Sequence, residues 1–189
     1  MRIIAGRHRG RTLAAPPGDA TRPTADRVRQ ALFDMLWHAP WGGRTTIQDQ
    51  LVLDAFAGTG ALGLEALSRG ADHCTFLETG RAALAALRAN IAACGEEPRT
   101  AVLAADATRP PHARVPCGLV FLDPPYRKGL VLRAIAALEK AGWIAPGAII
   151  VAETAEDEAL DLAGYERLAA RAHGAAMLHV LRAAGGNGC

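Results

Sequence analysis

Between residues 51 and 151, short continuous runs of hydrophobic residues alternate with longer stretches in which hydrophobic residues recur at helical spacing. The apolar runs cover residues 51–53, 74–77, 101–103, 119–122 and 148–151, and the helical stretches cover residues 61–69, 81–94 and 130–141. Short apolar runs are typical of strands buried on both faces, and their alternation with helices indicates a parallel sheet. We therefore predict an α/β fold in which helices cover both faces of one sheet.

The last part of the chain departs from this alternation. Residues 165–171 and 176–182 are joined around Gly174, with no helical stretch between them. Strands that are joined by a short turn pair in antiparallel fashion. We therefore expect these segments to finish the sheet as a hairpin with one antiparallel strand.

The first forty residues predict a small arm packed on the main domain. Residues 2–5 and 11–14 flank a segment that begins and ends with glycine, which is typical of a short hairpin with arginines on its exposed face. Thr24 is a suitable N-cap for a helix whose apolar residues recur at helical spacing from Val28 to Leu36. The expected divisions are an arm over residues 1–43, a main domain over residues 44–184 and a frayed tail over residues 185–189.

Composition limits the classes of protein that fit. The chain has 189 residues, of which 50% are hydrophobic and 21% are charged, as expected for one globular domain with a full core. No apolar run approaches the roughly 20 residues of a membrane span, and no signal-peptide pattern is present, so we expect a cytoplasmic protein with no membrane partner. The cysteines, Cys74, Cys94, Cys117 and Cys189, form no CxxC pair, so we expect reduced thiols and no metal site.

Positive charge is concentrated at the N-terminus, although the net charge of the whole chain is only +2. The first 29 residues contain seven arginines and two aspartates. A basic arm on a nearly neutral body indicates contact with a polyanion such as a nucleic acid. The alternative is a solvated surface in a chain that uses arginine in place of lysine, since Lys128 and Lys140 are its only lysines.

A glycine-rich turn follows the first predicted strand. Gly58, Gly60 and Gly63 form a GxGxxG pattern between that strand and the next helix, a context in which the backbone can approach a nucleoside cofactor. Glu78 ends the second predicted strand, eighteen residues after Gly60, where an acid can accept hydrogen bonds from both hydroxyls of a ribose. These features alone fit NAD as well as other nucleoside cofactors.

Asp54 distinguishes between these classes of cofactor. It lies at the mouth of the first strand, four residues before Gly58. A carboxylate there would repel a pyrophosphate but attract the ammonium and sulfonium groups of S-adenosylmethionine. The alternative for Asp54 is a helix-capping or turn acid. Asp106 follows the third strand at the expected ligand crevice, where it can accept a hydrogen bond from an adenine amine or cap a following helix.

A second motif, Asp123-Pro124-Pro125-Tyr126, directly follows the fourth predicted strand. The carboxylate of Asp123 and the carbonyl of Pro124, which Pro125 restricts, can accept hydrogen bonds from a planar amine. Two such acceptors draw the amine nitrogen toward tetrahedral geometry, in line with a methyl donor. Tyr126 can stack on the base, which must be flipped or unpaired to reach it. Together with Asp54, the motif predicts methyl transfer from S-adenosylmethionine to an exocyclic amine of a nucleobase.

Turn formation is the alternative for this motif, because aspartate and proline are also common turn residues. Arg127 and Lys128 follow it directly. They add positive charge that suits a phosphate beside the target base, or they are solvated.

These motifs and the arm resemble the bacterial RsmD family of 16S ribosomal RNA guanine-N2 methyltransferases over nearly the full length of the chain. The matching segments are RIIAG at residues 2–6, RGR at 9–11, RPT at 22–24, DRVR at 26–29, FAGTGALGLEALSRGA at 56–71, Glu78, and LDPPY at 122–126. Many amino-methyltransferases share the glycine turn and the Asp123 motif. The arm and the segment at residues 63–70 are specific to the family.

The resemblance implies a Rossmann-like class I methyltransferase sheet with a small hairpin-and-helix arm, S-adenosylmethionine as donor, and a target guanine in small-subunit RNA. It implies 16S ribosomal RNA in small-subunit or assembly particles, with ribosomal proteins, as the partner, and we expect a monomer. Implied catalytic residues are Asp123, Pro124, Pro125 and Tyr126, and implied cofactor contacts are Thr24, Asp54, Phe56, Gly58, Thr59, Gly60, Glu78 and Asp106. Expected RNA contacts are Arg7, Arg9, Arg11, Arg22, Arg27, Arg127 and Lys128.

Other functions fit parts of the pattern. The Asp123 motif does not separate N2 of guanine from N6 of adenine, because both are planar amines, so an adenine methyltransferase acting on DNA or RNA is an alternative. A non-enzymatic nucleotide-binding or RNA-binding module would leave Asp54 and Asp123 unexplained. A nicotinamide enzyme would conflict with the position of Asp54 beside the glycine turn.

Overall fold

The structure is a computed structural model that describes residues 1–16, 23–126, 128–158, 160 and 162–185, with the backbone alone at residues 23–25. Within these residues one sheet contains the strands β1 (Leu51–Asp54), β2 (His73–Leu77), β3 (Thr100–Leu103), β4 (Cys117–Leu122), β5 (Ile144–Ala155), β6 (Tyr165–His173) and β7 (Ala176–Ala183). Their order across the sheet is β3-β2-β1-β4-β5-β7-β6. β1 and β4 therefore lie side by side near the centre of the sheet.

The direction of the strands agrees with the prediction. The pairs β1–β2, β1–β4, β2–β3 and β4–β5 are parallel. β7 alone runs against its neighbours, because a tight turn at Gly174 joins it to β6 without a crossover. The predicted α/β fold with a terminal antiparallel hairpin is confirmed.

Helices cover both faces of the sheet. They are α1 (Pro23–His38), α2 (Ala61–Ser68), α3 (Arg81–Cys94) and α4 (Leu130–Lys140). One buried cluster joins α1, α2 and α3 to one face, and a second joins α4 to the other. Leu119 and Phe121 of β4 belong to the first cluster, whereas Val120 and Leu122 belong to the second. Successive side chains of a strand point to opposite faces, which is why continuous apolar runs identified these strands. No helix in the described parts of the chain is long and apolar enough to cross a membrane.

The N-terminal arm forms the expected short hairpin. An antiparallel bridge joins Arg2 to Thr12, and the side chains of Ile3 and Leu13 are buried. Gly6 has a φ of 79°, and a Cβ at that position would lie 1.8 Å from the carbonyl oxygen of Ser68. Only glycine allows this approach of the hairpin to the end of α2. The exact division of the chain into arm and main domain stays a prediction.

Glu65 of α2 anchors this hairpin. Its side chain is fully buried and accepts hydrogen bonds from the backbone N–H groups of Ile4, at 2.8 Å, and Ala5, at 3.1 Å. The guanidinium of Arg69 donates to the same carboxylate at 2.7 Å. A buried carboxylate is stable only when it is paired and hydrogen-bonded, and this one is both. The family segment at residues 63–70 thus carries the residue that attaches the arm.

The start of α1 corrects one detail of the prediction. The helix begins at Pro23, so Thr24 lies inside it and not at the N-cap. Proline is favoured at the first helical position because that residue needs no backbone N–H. Arg22 lies outside the described residues, as does the side chain of Thr24.

Candidate active site

A cavity of about 480 Å³ opens at the carboxyl ends of the central strands, beside the N-terminal hairpin and α1. Five of the predicted site residues line it, namely Asp54, Phe56, Gly58, Thr59 and Asp123. Carboxyl ends of parallel strands share one edge of a sheet, which is where this fold class forms its ligand crevice. The structure therefore brings the glycine turn, the acid after β1 and the acid after β4 to one cavity.

Asp54 is buried at the end of β1, with 2% of its surface exposed. Its Oδ2 accepts a hydrogen bond from the backbone N–H of Gly63 at 3.0 Å, so Asp54 does cap the first turn of α2. Its other carboxylate oxygen accepts no hydrogen bond from the described residues. Burial raises the pKa of Asp54 to about 7; the Gly63 hydrogen bond opposes this rise and the charge of Glu78 adds to it. A positive charge placed beside Asp54 would therefore be bound favourably.

The glycine turn contains two glycines with positive φ angles and a third glycine that packs closely against a neighbouring strand. Gly58 and Gly60 have φ values of 53° and 81°, a region that side chains disfavour. A Cβ on Gly63 would lie 2.4 Å from the ring of Phe76. The first two glycines therefore shape the turn and the third lets α2 approach β2. Gly58 lines the cavity, whereas Gly60 does not.

Glu78, which directly follows β2, stabilises this turn by hydrogen bonds. Its carboxylate accepts hydrogen bonds from the backbone N–H groups of Gly58 at 2.7 Å, Thr79 at 2.8 Å and Gly80 at 2.7 Å. It does not line the cavity, although its partner Gly58 does. Each carboxylate oxygen has two lone pairs, so Glu78 retains acceptor capacity for a ribose hydroxyl. Ribose binding stays a prediction.

Asp106 is exposed beyond β3 and does not line the cavity. Its Oδ1 accepts hydrogen bonds from the backbone N–H of Thr108 at 2.8 Å and from the Thr108 hydroxyl at 2.9 Å. The backbone hydrogen bond is the main cause of the lowered pKa of Asp106. The residue closes a turn, since no helix follows it directly. Its contact with adenine also stays a prediction.

The Asp123 motif lies next to Asp54 at the ends of β4 and β1. Asp123 lines the cavity and is accessible to solvent, as a substrate contact requires. The surrounding protein displaces water from the carboxylate of Asp123, and this desolvation raises its pKa. The negative charges of Glu153 and Asp54 raise the pKa of Asp123 further. Pro124 is buried, while Pro125 and Tyr126 are exposed. None of these last three residues lines the cavity, but Tyr126 contacts the lining residue Glu153 and therefore lies at the rim.

Glu153 and His173 also line the cavity, and the sequence analysis did not include them among the site residues. Glu153 accepts a hydrogen bond from the hydroxyl of Tyr126. Its other oxygen lies 3.6 Å from Nε2 of His173. Glu153 could have been found from its position close after the apolar run at residues 148–151, by the strand-end rule that selected Asp54 and Asp123. His173 had no comparable signal.

Arg29 is the only arginine or lysine among the described residues that line the cavity. It is 6% exposed, and its guanidinium donates to the carbonyl oxygen of Arg2 at 2.5 Å and to Asp26 at 2.8 Å. Its Nε lies 3.9 Å from the carboxylate of Glu65. Arg29 therefore connects α1 to the N-terminal hairpin and has its charge balanced within the protein. The carboxylates that line the cavity are those of Asp54, Asp123 and Glu153.

The predicted RNA contacts differ in their surroundings. Arg7 donates to the buried carboxylate of Glu96 at 2.5 Å, and His8 lies 2.5 Å from the same oxygen. Arg9 and Arg11 are exposed and form no ion pair with a described residue. The exposed set also includes Arg27 and Lys128. Arg22 and Arg127 lie outside the described residues. Among the predicted contacts of the arm that the structure describes, Arg9, Arg11 and Arg27 are therefore available to meet a phosphate.

Comparison with known proteins identifies the family. The sequence profile of the family described as conserved hypothetical protein 95 matches residues 1–182. Ribosomal RNA small subunit methyltransferase D of Escherichia coli strain K12 is 42% identical over 167 residues, which cover 85% of this chain and 77% of the relative. The chain belongs to the RsmD family.

Other RsmD-family relatives and solved structures agree. The putative rRNA methyltransferase YlbH of Bacillus subtilis strain 168 is 36% identical over 157 residues, covering 81% of this chain and 82% of the relative. The structure of the putative methyltransferase yhhF from Escherichia coli superposes with a TM-score of 0.83 at 36% identity, covering 98% of both chains. A putative methylase from Haemophilus influenzae gives 0.79 at 31% identity, covering 97% and 98%.

Proposed function

We propose that this RsmD-family protein methylates the exocyclic N2 amine of one guanine in 16S ribosomal RNA, with S-adenosylmethionine as the methyl donor. The observation that carries the proposal is that Asp54 and Asp123 face one cavity from the ends of the adjacent strands β1 and β4, beside the glycine turn. Relatives that are named as ribosomal RNA methyltransferases support the choice of substrate.

The side chains of the cavity fit S-adenosylmethionine. Asp54 leaves one carboxylate oxygen without a hydrogen bond, and its raised pKa marks a site that favours a cation. Phe56, Leu62 and Val28 supply apolar surface in the same cavity. When bound, S-adenosylmethionine supplies an electrophilic methyl group on a positively charged sulfur. The same carboxylates would repel the negative charge of a pyrophosphate cofactor.

Asp123 and Pro124 are the residues proposed to act on the target amine. The carboxylate of Asp123 accepts one N–H of the amine, and the carbonyl of Pro124 accepts the other. These contacts pull the nitrogen lone pair out of conjugation with the ring and aim it into the cavity, so positioning and electrostatics do most of the catalysis. No strong base is needed, because the methylated ammonium is acidic and releases its proton readily.

Tyr126 and the arm are proposed to bind the RNA. Tyr126 is 42% exposed at the rim, where its ring can stack on a base that has left its helix or loop. Arg9 and Arg11 supply exposed positive charge for the RNA backbone. The proposed substrate is a small-subunit or assembly particle, which places the activity in the cytoplasm.

The proposal is tested by transfer of labelled methyl from S-adenosylmethionine to small-subunit particles that lack the modification. Asp123→Ala removes the carboxylate that accepts one N–H of the target amine, so we expect at least a hundred-fold loss of kcat, on the order of the loss when one catalytic hydrogen-bonding group is removed. Cofactor affinity should change little by calorimetry. The matched control is Asp72→Ala, which alters an exposed aspartate away from the cavity. A fully active Asp123→Ala protein would contradict the assignment.

A further inference from the structure

Tyr126, Glu153 and His173 form a chain of contacts at the rim of the cavity that the proposed chemistry does not use. The hydroxyl of Tyr126 donates a hydrogen bond to Oε1 of Glu153. Oε2 of the same carboxylate lies 3.6 Å from Nε2 of His173. The two oxygens of Glu153 therefore face two partners from different parts of the chain.

The sheet register explains why these residues meet. Leu122 of β4 pairs with Ala152 of β5, so the Asp123 motif leaves the sheet beside Glu153. On its other side Glu153 pairs with Leu178 of β7. β6 and β7 form the terminal hairpin, and that hairpin brings His173, the last residue of β6, to the carboxyl end of β5. The contact thus depends on the fixed pairing of β4, β5, β6 and β7.

Burial differs between the two ends of the Tyr126–Glu153 contact. Tyr126 is 42% exposed, whereas the side chain of Glu153 is 18% exposed and lines the cavity. The tyrosine is therefore the more exposed partner, and the carboxylate is the partner that the protein surrounds. A surface tyrosine rotates about two side-chain torsions, and a hydrogen bond at its far end restricts both.

We propose that Glu153 is a positioning residue that fixes the hydroxyl of Tyr126 and so holds the tyrosine ring in one orientation at the rim of the cavity. An aromatic ring that is already oriented loses less conformational freedom when a base stacks on it. The effect on methyl transfer rests on the proposed function, in which Tyr126 stacks on the target base. The contact itself does not depend on that function.

Charge around the hydroxyl provides a way to observe the contact. Partial burial, the hydrogen bond to Glu153, and the charges of Glu153 and Asp123 together raise the pKa of Tyr126. His173 is the titratable group on the opposite side of Glu153. Glu153→Gln keeps the size of the side chain and removes its charge, so the Tyr126 hydroxyl should become easier to deprotonate.

The contact can be measured without cofactor or RNA. The chain has two tyrosines, Tyr126 and Tyr165, so full-length protein labelled with 3-fluorotyrosine gives two fluorine resonances, and Tyr165→Phe assigns them. Fluorination lets both phenols titrate at lower pH than tyrosine. We expect Glu153→Gln to lower the titration midpoint of Tyr126 by about one pH unit, as loss of one close charge should, and to leave that of Tyr165 unchanged. An unchanged Tyr126 midpoint would overturn the proposal.

The positioning role is tested by kinetics of methyl transfer to small-subunit particles. Tyr126→Phe and Glu153→Ala should each lower kcat/KM for the particle about ten-fold, as expected for loss of one charge-assisted hydrogen bond. The Kd for S-adenosylmethionine should not change in Tyr126→Phe, because Tyr126 does not line the cavity. Because both substitutions remove the same contact, the double variant should lose no more than either single variant. Losses that multiply would refute the positioning role. If the parent protein transfers no methyl group, the proposed function fails, while the fluorine titration still decides the contact.

Discussion

Replacement of Asp54 with asparagine should stabilise the ligand-free protein while weakening its affinity for S-adenosylmethionine. Asparagine has nearly the same shape as aspartate, and its amide oxygen can still accept the hydrogen bond from the backbone N–H of Gly63. The cap on α2 is therefore kept. The change replaces a negatively charged carboxylate, which is buried in the absence of a ligand, with a neutral amide.

The size of the effect follows from the pKa of Asp54. Burial is the main cause that raises this pKa from 3.8 to about 7. The folded protein therefore holds a proton on Asp54 more tightly than the unfolded chain does, and stability falls as pH rises between these two values. At pH 8, where the folded protein carries the buried carboxylate, Asp54 should lower the free energy of unfolding by about 4 kcal/mol relative to a group that does not titrate. At pH 5, where the folded protein must take up a proton that the unfolded chain has released, the loss should be about 2 kcal/mol.

Urea unfolding of the parent and of Asp54→Asn, at both pH values and without cofactor, measures this difference. We expect the variant to be more stable by up to these amounts, with the larger gain at pH 8. Asp72→Asn, at an exposed position, should change stability by less than about 0.5 kcal/mol at either pH. Calorimetry should show at least ten-fold weaker binding of S-adenosylmethionine to Asp54→Asn. A variant that is no more stable than the parent at pH 8 would refute the reasoning about burial.

Further predictions concern the arm. Replacing Arg9 and Arg11 with alanine should weaken RNA binding and flatten its dependence on salt, measured by titration with labelled RNA at several ionic strengths; an unchanged salt slope would mean that the arm is not the RNA contact. Asn90 is buried and bonds both the backbone of Ala14, at 2.7 and 3.0 Å, and the carbonyl oxygen of Thr59, at 2.9 Å. Asn90→Ala should therefore lower the free energy of unfolding by about 2–3 kcal/mol in urea unfolding, and a loss below 0.5 kcal/mol, similar to that of a surface substitution, would contradict the anchoring role.

The sheet and its helices could be predicted because their hydrophobic pattern is strong and local. The apolar runs fall within β1 to β5, and the helix predicted at residues 81–94 has the bounds of α3. Asp54 and Asp123 could be placed at one site because both follow buried strands, and a parallel sheet brings such strand ends together. Fold, cavity and the central acids thus follow from periodicity and one topological rule.

The remaining site residues depend on contacts that a sequence pattern does not encode. His173 reaches the cavity only because the β6–β7 hairpin folds back on β5. Asn90 and Glu65 lie on helices, where polar residues are usually exposed, but both are buried against the arm. The roles of Asn90 and Glu65 can be predicted only when the segment that packs on each helix is known. The same holds for Arg7, whose charge meets the buried Glu96 far along the chain.

The central claim is the identity of the methylated atom, and nucleoside mass spectrometry of small-subunit RNA after the transfer reaction measures it most directly. Particles that lack the modification, free 16S RNA and mature subunits should be compared, with Asp123→Ala as the inactive control. We predict N2-methylguanosine at a single position in the particles. N6-methyladenosine, or label in no RNA despite tight cofactor binding, would contradict the proposed guanine-N2 activity.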